Sequence, residues 1–466
     1  MREVDVAIIG AGSAGLTAFS EVNRVTENVV IIEAGVGGTT CARVGCMPSK
    51  VMIQVAEDFH RREYLATEGI MGAEHLRLDI PAAMAHVRKM RDRFVASVMG
   101  GTVARAGDRY IRGKARFCGM NILDVDGQKI KAGKVILATG SRPFVPEGWE
   151  RLPVPVYTSD TLFEQEDFPA SLAVMGTGVI GLELGQALAR MGVEVTAFGR
   201  SGRVAGITDP ELNTSAVTAY SREFPLRFSR DIRVEPIAGA SKVRIVWPEG
   251  SVEVDGILAA QGRRPNLDDL GLEPLDIPRD EHGIPLFDPQ TMQVGDLPLF
   301  IAGDVTGSLP VLHEASDEGR IAGYNAVNSV QRFRRKTPLL VVFTDPNVMQ
   351  VGQTYQQLRD AGTPFEVGQV SFEGQGRSLV MGRNCGLLRV YGHRDSGALL
   401  GAEMMGPAGE HIAHELAWAM ERGLDVFEMI RLPFYHPVVE EGLRTALREL
   451  AARVDRRKAR WELSFA

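Results

Sequence analysis

Val4-Asp5-Val6-Ala7-Ile8-Ile9-Gly10-Ala11-Gly12-Ser13-Ala14-Gly15 opens the chain with an apolar, β-branched run that breaks on three glycines. The run reads as a strand, the glycines as a tight turn, and the residues to about Arg24 as a helix. Val29 to Ile32 is the next strand, ending at Glu33. This order builds a dinucleotide site. Gly10 makes the turn, Gly12 lets backbone approach a pyrophosphate, and Gly15 lets helix and strand pack closely. The free N–H groups of the helix start then face the anion. Glu33 stands 23 residues after Gly10, where a carboxylate can accept from ribose hydroxyls. The glycine spacing alone is weak in a chain with 51 glycines, but strand, helix and acid in sequence make it specific.

The same grammar returns at Ser171 to Met175, Gly176-Thr-Gly-Val-Ile-Gly181, a helix to about Met191, and Val193 to Phe198. Two nucleotide-binding modules are therefore expected. Apolar strand ends on both sides of the second, Val135–Gly140 and Leu299–Asp304, place it inside the first. Counting 23 residues from Gly176 gives Gly199, not an acid, and Glu194 falls too early in the strand. Arg200 and Arg203 follow. A missing acid with two arginines favours a 2′-phosphate, hence NADP(H). The alternative is that the arginines are surface residues and NAD(H) binds through its pyrophosphate. Ala138-Thr139-Gly140 and Ala302-Gly303-Asp304 end strands beside the first nucleotide, with Asp304 placed for a sugar or ribityl hydroxyl; plain strand-end turns are the competing reading.

Size and composition bound the rest. The 466 residues exceed one core, so two to four domains are expected. A net charge of −7 gives no general attraction to nucleic acid or anionic lipid. No run reaches the ~18 apolar residues of a membrane span, and the opening run is too short for a secretory segment, so a cytoplasmic protein is expected. Residues 81–100 read as a helix polar on one side, 146–170 as a Pro-rich acidic linker, and Arg334 to Pro338 as a connector. Beyond it lie strand-like runs (Leu339–Phe343, Gly386–Tyr391) and helical runs (Glu410–Arg422, Val439–Arg453). The tail from Arg453 to Ala466, basic as far as Arg460, reads as a solvated helix end.

The four cysteines are too few for a disulfide scaffold. Cys118 and Cys385 are isolated and read as packing residues. Cys41-Ala-Arg-Val-Gly-Cys46 closes a short loop, and Met47-Pro48-Ser49-Lys50 opens a helix. A cysteine at a helix start has a lowered pKa, and Lys50 adds a cation one turn on. A redox pair is the reading; a structural disulfide is the bland one. Zinc lacks two further paired ligands, and no metal site is expected. Thiol exchange needs a base. Phe434-Tyr-His436-Pro-Val-Val-Glu440-Glu441 offers an imidazole in a loop with a carboxylate on the following helix, an arrangement that raises imidazole basicity and fixes its tautomer.

These motifs together resemble the class I pyridine nucleotide–disulfide oxidoreductases, and within them the dihydrolipoamide dehydrogenases. The likeness runs the whole length: Gly10–Gly15, Thr40-Cys-Ala-Arg-Val-Gly-Cys-Met-Pro-Ser-Lys50, Ala138-Thr-Gly-Ser-Arg-Pro143, Gly176–Gly185, Gly262-Arg-Arg-Pro-Asn266, Ala302-Gly-Asp304, Val342-Phe-Thr-Asp-Pro346 and His436–Glu441. The resemblance implies an α/β fold of two Rossmann-like dinucleotide-binding domains, one inserted in the other, plus an α+β C-terminal dimerisation domain. The expected boundaries are 1–148 for FAD, 149–266 for NAD(P), 267–338 for a central part completing the FAD domain, and 339–466 for the interface. It implies FAD and NAD(P) as cofactors and a homodimer in which His436 and Glu441 complete the partner's site. Cys41 would be the interchange thiol and Cys46 the charge-transfer thiolate against the flavin. Lys50 would pair with Glu183 near flavin N5. Thr40, Thr344 and the Leu312-His-Glu-Ala315 stretch would border the flavin, and Gly262 the coenzyme.

Several residues depart from the family: Gly37-Gly-Thr-Thr before the pair, Ala-Arg-Val-Gly between the cysteines, Gln261 for the usual threonine, and Gly199-Arg200 for the NAD acid. The implied activity is oxidation of dihydrolipoamide or a lipoyl-bearing protein. The alternatives are an NADPH-dependent reductase of another small disulfide, or a binding subunit of a multienzyme complex. Arg460–Ala466 holds no cysteine, so mercuric reductase and large thioredoxin reductase activities are not expected.

Overall fold

In the computed structural model, which describes residues 1–464 apart from the Arg460 side chain, the two glycine turns sit at the carboxyl ends of parallel strands in two separate sheets. In the first, Arg2–Ile9 lies between Val29–Glu33 and Gln128–Leu137, with Tyr110–Arg112 beyond Val29–Glu33. The long strand Gln128–Leu137 is used twice. Its first half pairs antiparallel with Ile122–Val125, and its second half takes Leu299–Ile301 in parallel, Leu299 opposite Val135. The central strands are buried along their length, Ile8 and Ile31 completely, because helices and loops cover both faces.

After Leu137 the chain leaves this sheet, builds the second, and returns only at Leu299. The second unit is thus inserted in the first. Its five strands are all parallel, in the order Leu226–Phe228, Glu194–Gly199, Ser171–Met175, Gly256–Ala259, Val156–Tyr157. A two-stranded ribbon, Ser141–Pro143 with Arg263–Pro265, carries both crossings between the units. Helix Leu312–Val327 closes against helix Ser13–Val22 so tightly that a Cβ at Gly319 would lie 2.2 Å from the Ala14 carbonyl oxygen. Only glycine allows that approach.

The C-terminal unit is a five-stranded antiparallel sheet, Leu339–Val342, Asn347–Gly352, Leu399–Gly406, Leu387–His393, Phe365–Ser371. Helices Gly409–Glu421 and Glu440–Val454 pack on it through Ile412, Leu416, Leu443 and Leu447, all fully buried. No described helix is long and apolar enough to cross a membrane.

Three expectations change. The stretch 146–170 is more than a linker: Val156–Tyr157 is an edge strand of the second sheet, and Ser159–Leu162 is a helix capped by Thr158. Cys118 is not a packing residue. It is exposed on strand Ala115–Gly119, where Ala115 and Phe117 face inward and Cys118 faces out, with Lys129 Nζ at 3.0 Å. Cys385 is half-buried against the core, as expected. The basic tail is solvated at Arg456 to Lys458, but Glu462 folds back to pair with Arg444 and Arg448 at 2.8 and 2.6 Å; residues 465 and 466 lie outside the described residues.

Candidate active site

Each glycine turn is shaped by backbone contacts. Gly10 has φ +105°, and a Cβ there would meet the Ala138 carbonyl oxygen at 2.2 Å. A Cβ on Gly15 would sit 1.9 Å from the Gly10 oxygen, whereas Gly12 faces open space. Helix Ser13–Val22 has no side-chain cap and no acid in its first turn, so its N–H groups remain available to an anion. Glu33 is held by N–H donation from Ala11 (2.8 Å) and Gly35 (2.7 Å) at the strand end.

The thiol pair lies beside this cradle. Thr39 caps a one-turn helix, Thr40–Arg43, that carries Cys41; Cys46 is the first residue of helix Cys46–His60. Gly45 joins them so closely that a Cβ would lie 3.0 Å from the Thr40 oxygen. The two thiols hydrogen-bond to each other. Donation from Cys41 pulls Cys46 down to about 7; burial opposes this, and the Lys50 cation assists it. The same hydrogen bond, with burial, pushes Cys41 well above the ordinary thiol range. Charge therefore collects on Cys46 and the proton on Cys41. Lys50 Nζ lies 2.7 Å from Glu183 Oε2 and 4.8 Å from the Phe343 ring centre. The other Glu183 oxygen accepts from Phe343 N at 2.8 Å, which ties the redox helix, helix Val179–Arg190 and the C-terminal unit to one point.

Cys41, Cys46, Lys50 and Glu183 line a cavity of about 430 Å³ together with Gly12, Thr40, Gly140, Asp304 and Ala315. Gly10, Gly15, Glu33 and Thr139 do not line it. Asp304 accepts from Ser141 Oγ at 3.0 Å, which in turn accepts from Arg263 Nε at 2.8 Å. Thr344 does not border the cavity. It is fully buried, bonded to Tyr220 at 2.6 Å and donating to the Pro346 oxygen; its neighbour Phe343 lines the wall instead.

A second cavity, about 1050 Å³, shares Val179, Arg263 and Asp304 with the first, so the two sites meet. Gly176, Gly178, Gly262, Arg200 and Arg203 line it, while Gly181 packs beneath, 1.9 Å from the Gly176 oxygen by the same Cβ measure. A Cβ at Gly199 would lie 2.4 Å from Thr177 Oγ1 and 3.0 Å from the Phe228 ring. Thr177 Oγ1 donates to the Arg203 carbonyl oxygen at 2.9 Å. The threonine thus fills the space an acid at 199 would need.

These residues fit two dinucleotides. Beside the glycine cradles and the uncapped helix starts, Thr139 Oγ1 and Gln261 Oε1 are buried polar atoms without a partner among the described residues. They occupy equivalent positions, each just after the alanine that the turn glycine abuts. Gln261 lines the second cavity, where a bound group would supply that partner, whereas Thr139 lines neither cavity.

His436 follows the exposed Tyr435. Its Nδ1 is 3.0 Å from both Glu441 oxygens, and donation to Glu441 holds that carboxyl below its usual range. The imidazole side chain is 80% exposed and lines neither cavity, so one copy of the chain does not bring it to Cys41. The sequence reading missed Arg230, which lines the coenzyme cavity, and the Ser141–Arg263 support of Asp304. Arg230 lies two residues past strand Leu226–Phe228, and the rule that ligands gather at the carboxyl ends of parallel strands points to it.

Comparison with known proteins agrees with this geometry. Residues 4–319 match the family model for pyridine nucleotide-disulphide oxidoreductases, and 339–447 match that family's dimerisation domain. A dihydrolipoyl dehydrogenase of Thermus scotoductus is 31% identical over 97% of this chain and 98% of its own. A mercuric reductase of Staphylococcus aureus is 27% identical over 95% of this chain and 82% of its own, so overall similarity does not set mercuric reductases aside. Among solved structures, the HOCl-induced flavoprotein disulfide reductase RclA of Escherichia coli shares the fold, with a TM-score of 0.83 at 23% identity over 96% of this chain and 99% of that one. The chain belongs to the pyridine nucleotide-disulphide oxidoreductase family, whose members use FAD and NAD(P)H.

Proposed function

We propose that the chain exchanges electron pairs between a dihydrolipoamide-type dithiol, free or on a lipoyl-bearing protein, and NADP(H), using Cys41 and Cys46. The observation that carries this is the polarised thiol pair at a helix start, opening onto the cavity that holds the first glycine cradle. The likeness to dihydrolipoyl dehydrogenase over nearly the full length supports the substrate class.

The active unit is a homodimer, since His436 stands exposed on the dimerisation segment and away from the thiols of its own copy. The partner subunit's His436 takes a proton from one substrate thiol. The thiolate attacks Cys41 Sγ, the Cys41–Cys46 bond breaks, and Cys46 leaves as a thiolate stabilised by Lys50 and the helix start. The second substrate thiol displaces Cys41 from the mixed disulfide; its proton goes to solvent, and the proton held on the imidazole returns to Cys41. The substrate leaves as a cyclic disulfide. Glu441 holds the imidazole tautomer through Nδ1. FAD, when bound, would supply two-electron transfer between this thiol pair and the nicotinamide, and the Cys41–Cys46 bond would re-form as Cys41 gives up its proton. Lys50 and Glu183 keep fixed charge beside that transfer.

A second reading, an NADPH-dependent reductase of another disulfide, draws on the missing acid at Gly199 and on Arg200, Arg203 and Arg230 in the second cavity. Measuring kcat/KM for NADH, NADPH, NAD+ and NADP+ with lipoamide, dihydrolipoamide and glutathione disulfide separates the two. Faster turnover of dihydrolipoamide with NADP+ than of any disulfide with NADPH supports the first. No turnover of either lipoyl substrate overturns it.

A further inference from the structure

The loop from Arg200 to Thr208 is held from two sides, and one of them is unexpected. On the side of the second nucleotide unit, Thr177 Oγ1 donates to the Arg203 oxygen, Ala205 N donates to the Thr177 oxygen, and Val204 N donates to Asn213. The other side is the C-terminal unit. Gln350 Nε2 donates to the Gly206 oxygen at 2.7 Å, and Thr208 donates from its N–H and its hydroxyl to Glu403, which is fully buried. Tyr355 N donates to the same carboxylate at 2.9 Å, and Gln356 N donates to Thr208 Oγ1 at 3.2 Å. Asp209, also fully buried, takes Arg389 Nε at 2.7 Å and Tyr391 at 3.0 Å. These bonds seat helix Tyr355–Asp360 against the arginine loop.

From that seat Gln356 reaches Arg203, which lines the second cavity. Its Oε1 accepts from Arg203 Nη2 at 3.3 Å, while its Nε2 donates to Asp360 Oδ1 at 2.7 Å. An ionised carboxylate can only accept, so Asp360 fixes which end of the amide faces Arg203. Arginine is long and loses rotamer freedom when held. Here the backbone of Arg203 is pinned by Thr177 and its guanidinium by Gln356, with four of its five N–H donors left for a ligand.

We propose that Gln356, a positioning residue supplied by the C-terminal unit, sets the coenzyme preference of the second nucleotide site by holding Arg203 ready for a 2′-phosphate. This rests on the NADP(H) reading above. The test uses the full-length, flavin-loaded enzyme, with KM and kcat measured for NADPH and NADH and thermal unfolding checked for each variant. Gln356→Ala raises KM for NADPH about fivefold, while KM for NADH and kcat move by less than about twofold. In an Arg203→Ala background the same change adds nothing, because the guanidinium it acts through is gone. Arg359→Ala, exposed on the same helix, serves as the control and leaves both KM values at the parent level. Equal rises in KM for both coenzymes, or a full further loss on top of Arg203→Ala, would make Gln356 merely structural and overturn the proposal. An unchanged KM for NADPH in Gln356→Ala overturns it as well. If Arg203→Ala itself leaves NADPH binding untouched, it is the NADP(H) reading that falls, and the two failures are told apart.

Discussion

The two nucleotide units can be laid side by side. Gly10 and Gly176 have φ of +105° and +124°, and each lies against a strand-end alanine carbonyl, with Cβ distances of 2.2 and 2.1 Å. Gly12 and Gly178 share the same extended backbone and both face open space. Gly15 and Gly181 both sit 1.9 Å from the oxygen of the turn glycine. Around the glycine turns, the units part at the ribose end. Ala11 and Glu33 in the first correspond to Thr177 and Gly199 in the second, and the threonine occupies the volume a carboxylate would take. The pyrophosphate cradle is a backbone device and repeats; the ribose end is a side-chain device and diverges.

The largest effect breaks the shared part. Gly10→Ala forces a side chain into the Ala138 carbonyl at a positive φ, and flavin affinity falls about 100-fold. Gly176→Ala leaves flavin bound and weakens NADPH by a similar factor. Flavin content by absorbance and coenzyme titration check the pair; loss of flavin from both variants would mean that the two cradles do not act separately.

Next comes the divergent part. Arg200→Ala with Arg203→Ala raises KM for NADPH about 30-fold and leaves that for NADH within about threefold, as expected for lost charge-assisted hydrogen bonds to a phosphate. Steady-state kinetics at fixed salt decide it, and an equal rise for both coenzymes contradicts it.

The thiol pair belongs to the first unit alone, and its pH behaviour sharpens the contrast. The Cys46 pKa is lowered from 9.0 to about 7, so the thiolate, and the stability it lends the reduced enzyme, are in place above the ordinary value and are lost as pH falls through about 7. Alkylation of Cys46 in the reduced enzyme should be about tenfold slower at pH 6 than at pH 8. A rate that still climbs steeply between pH 8 and 9 would show an unshifted thiol.

The smallest expected effect rebuilds one unit in the image of the other. Gly199→Glu alone clashes with Thr177 and presses on the Phe228 ring; with Thr177→Ala, and with the ring giving by a few tenths of an ångström, it copies the Ala11–Glu33 pair and improves KM for NADH about fivefold. No gain in the double variant would mean that the threonine is not what excludes the acid.

The same contrast explains what could be read from the chain. Both glycine turns were legible because they impose a backbone requirement that only one residue type meets. His436 and Glu441 were legible because their partnership is local, five residues apart. The edge strand Val156–Tyr157 was not, since two residues carry no periodicity. The exposure of Cys118 is legible in the alternation of Ala115, Arg116, Phe117 and Cys118, which turns it to the face opposite the buried pair. The clamp from Glu403 onto Thr208 joins residues 195 apart, and no local pattern announces it.

Electrons passing between the Cys41–Cys46 pair and the flavin are the central step. Anaerobic titration of the flavin-loaded enzyme with NADPH tests this directly. At one equivalent the flavin should remain oxidised, a long-wavelength band should appear, and two thiols should become reactive; Cys46→Ser should remove the band. Complete bleaching of the flavin at one equivalent, with no thiols released, would contradict the account.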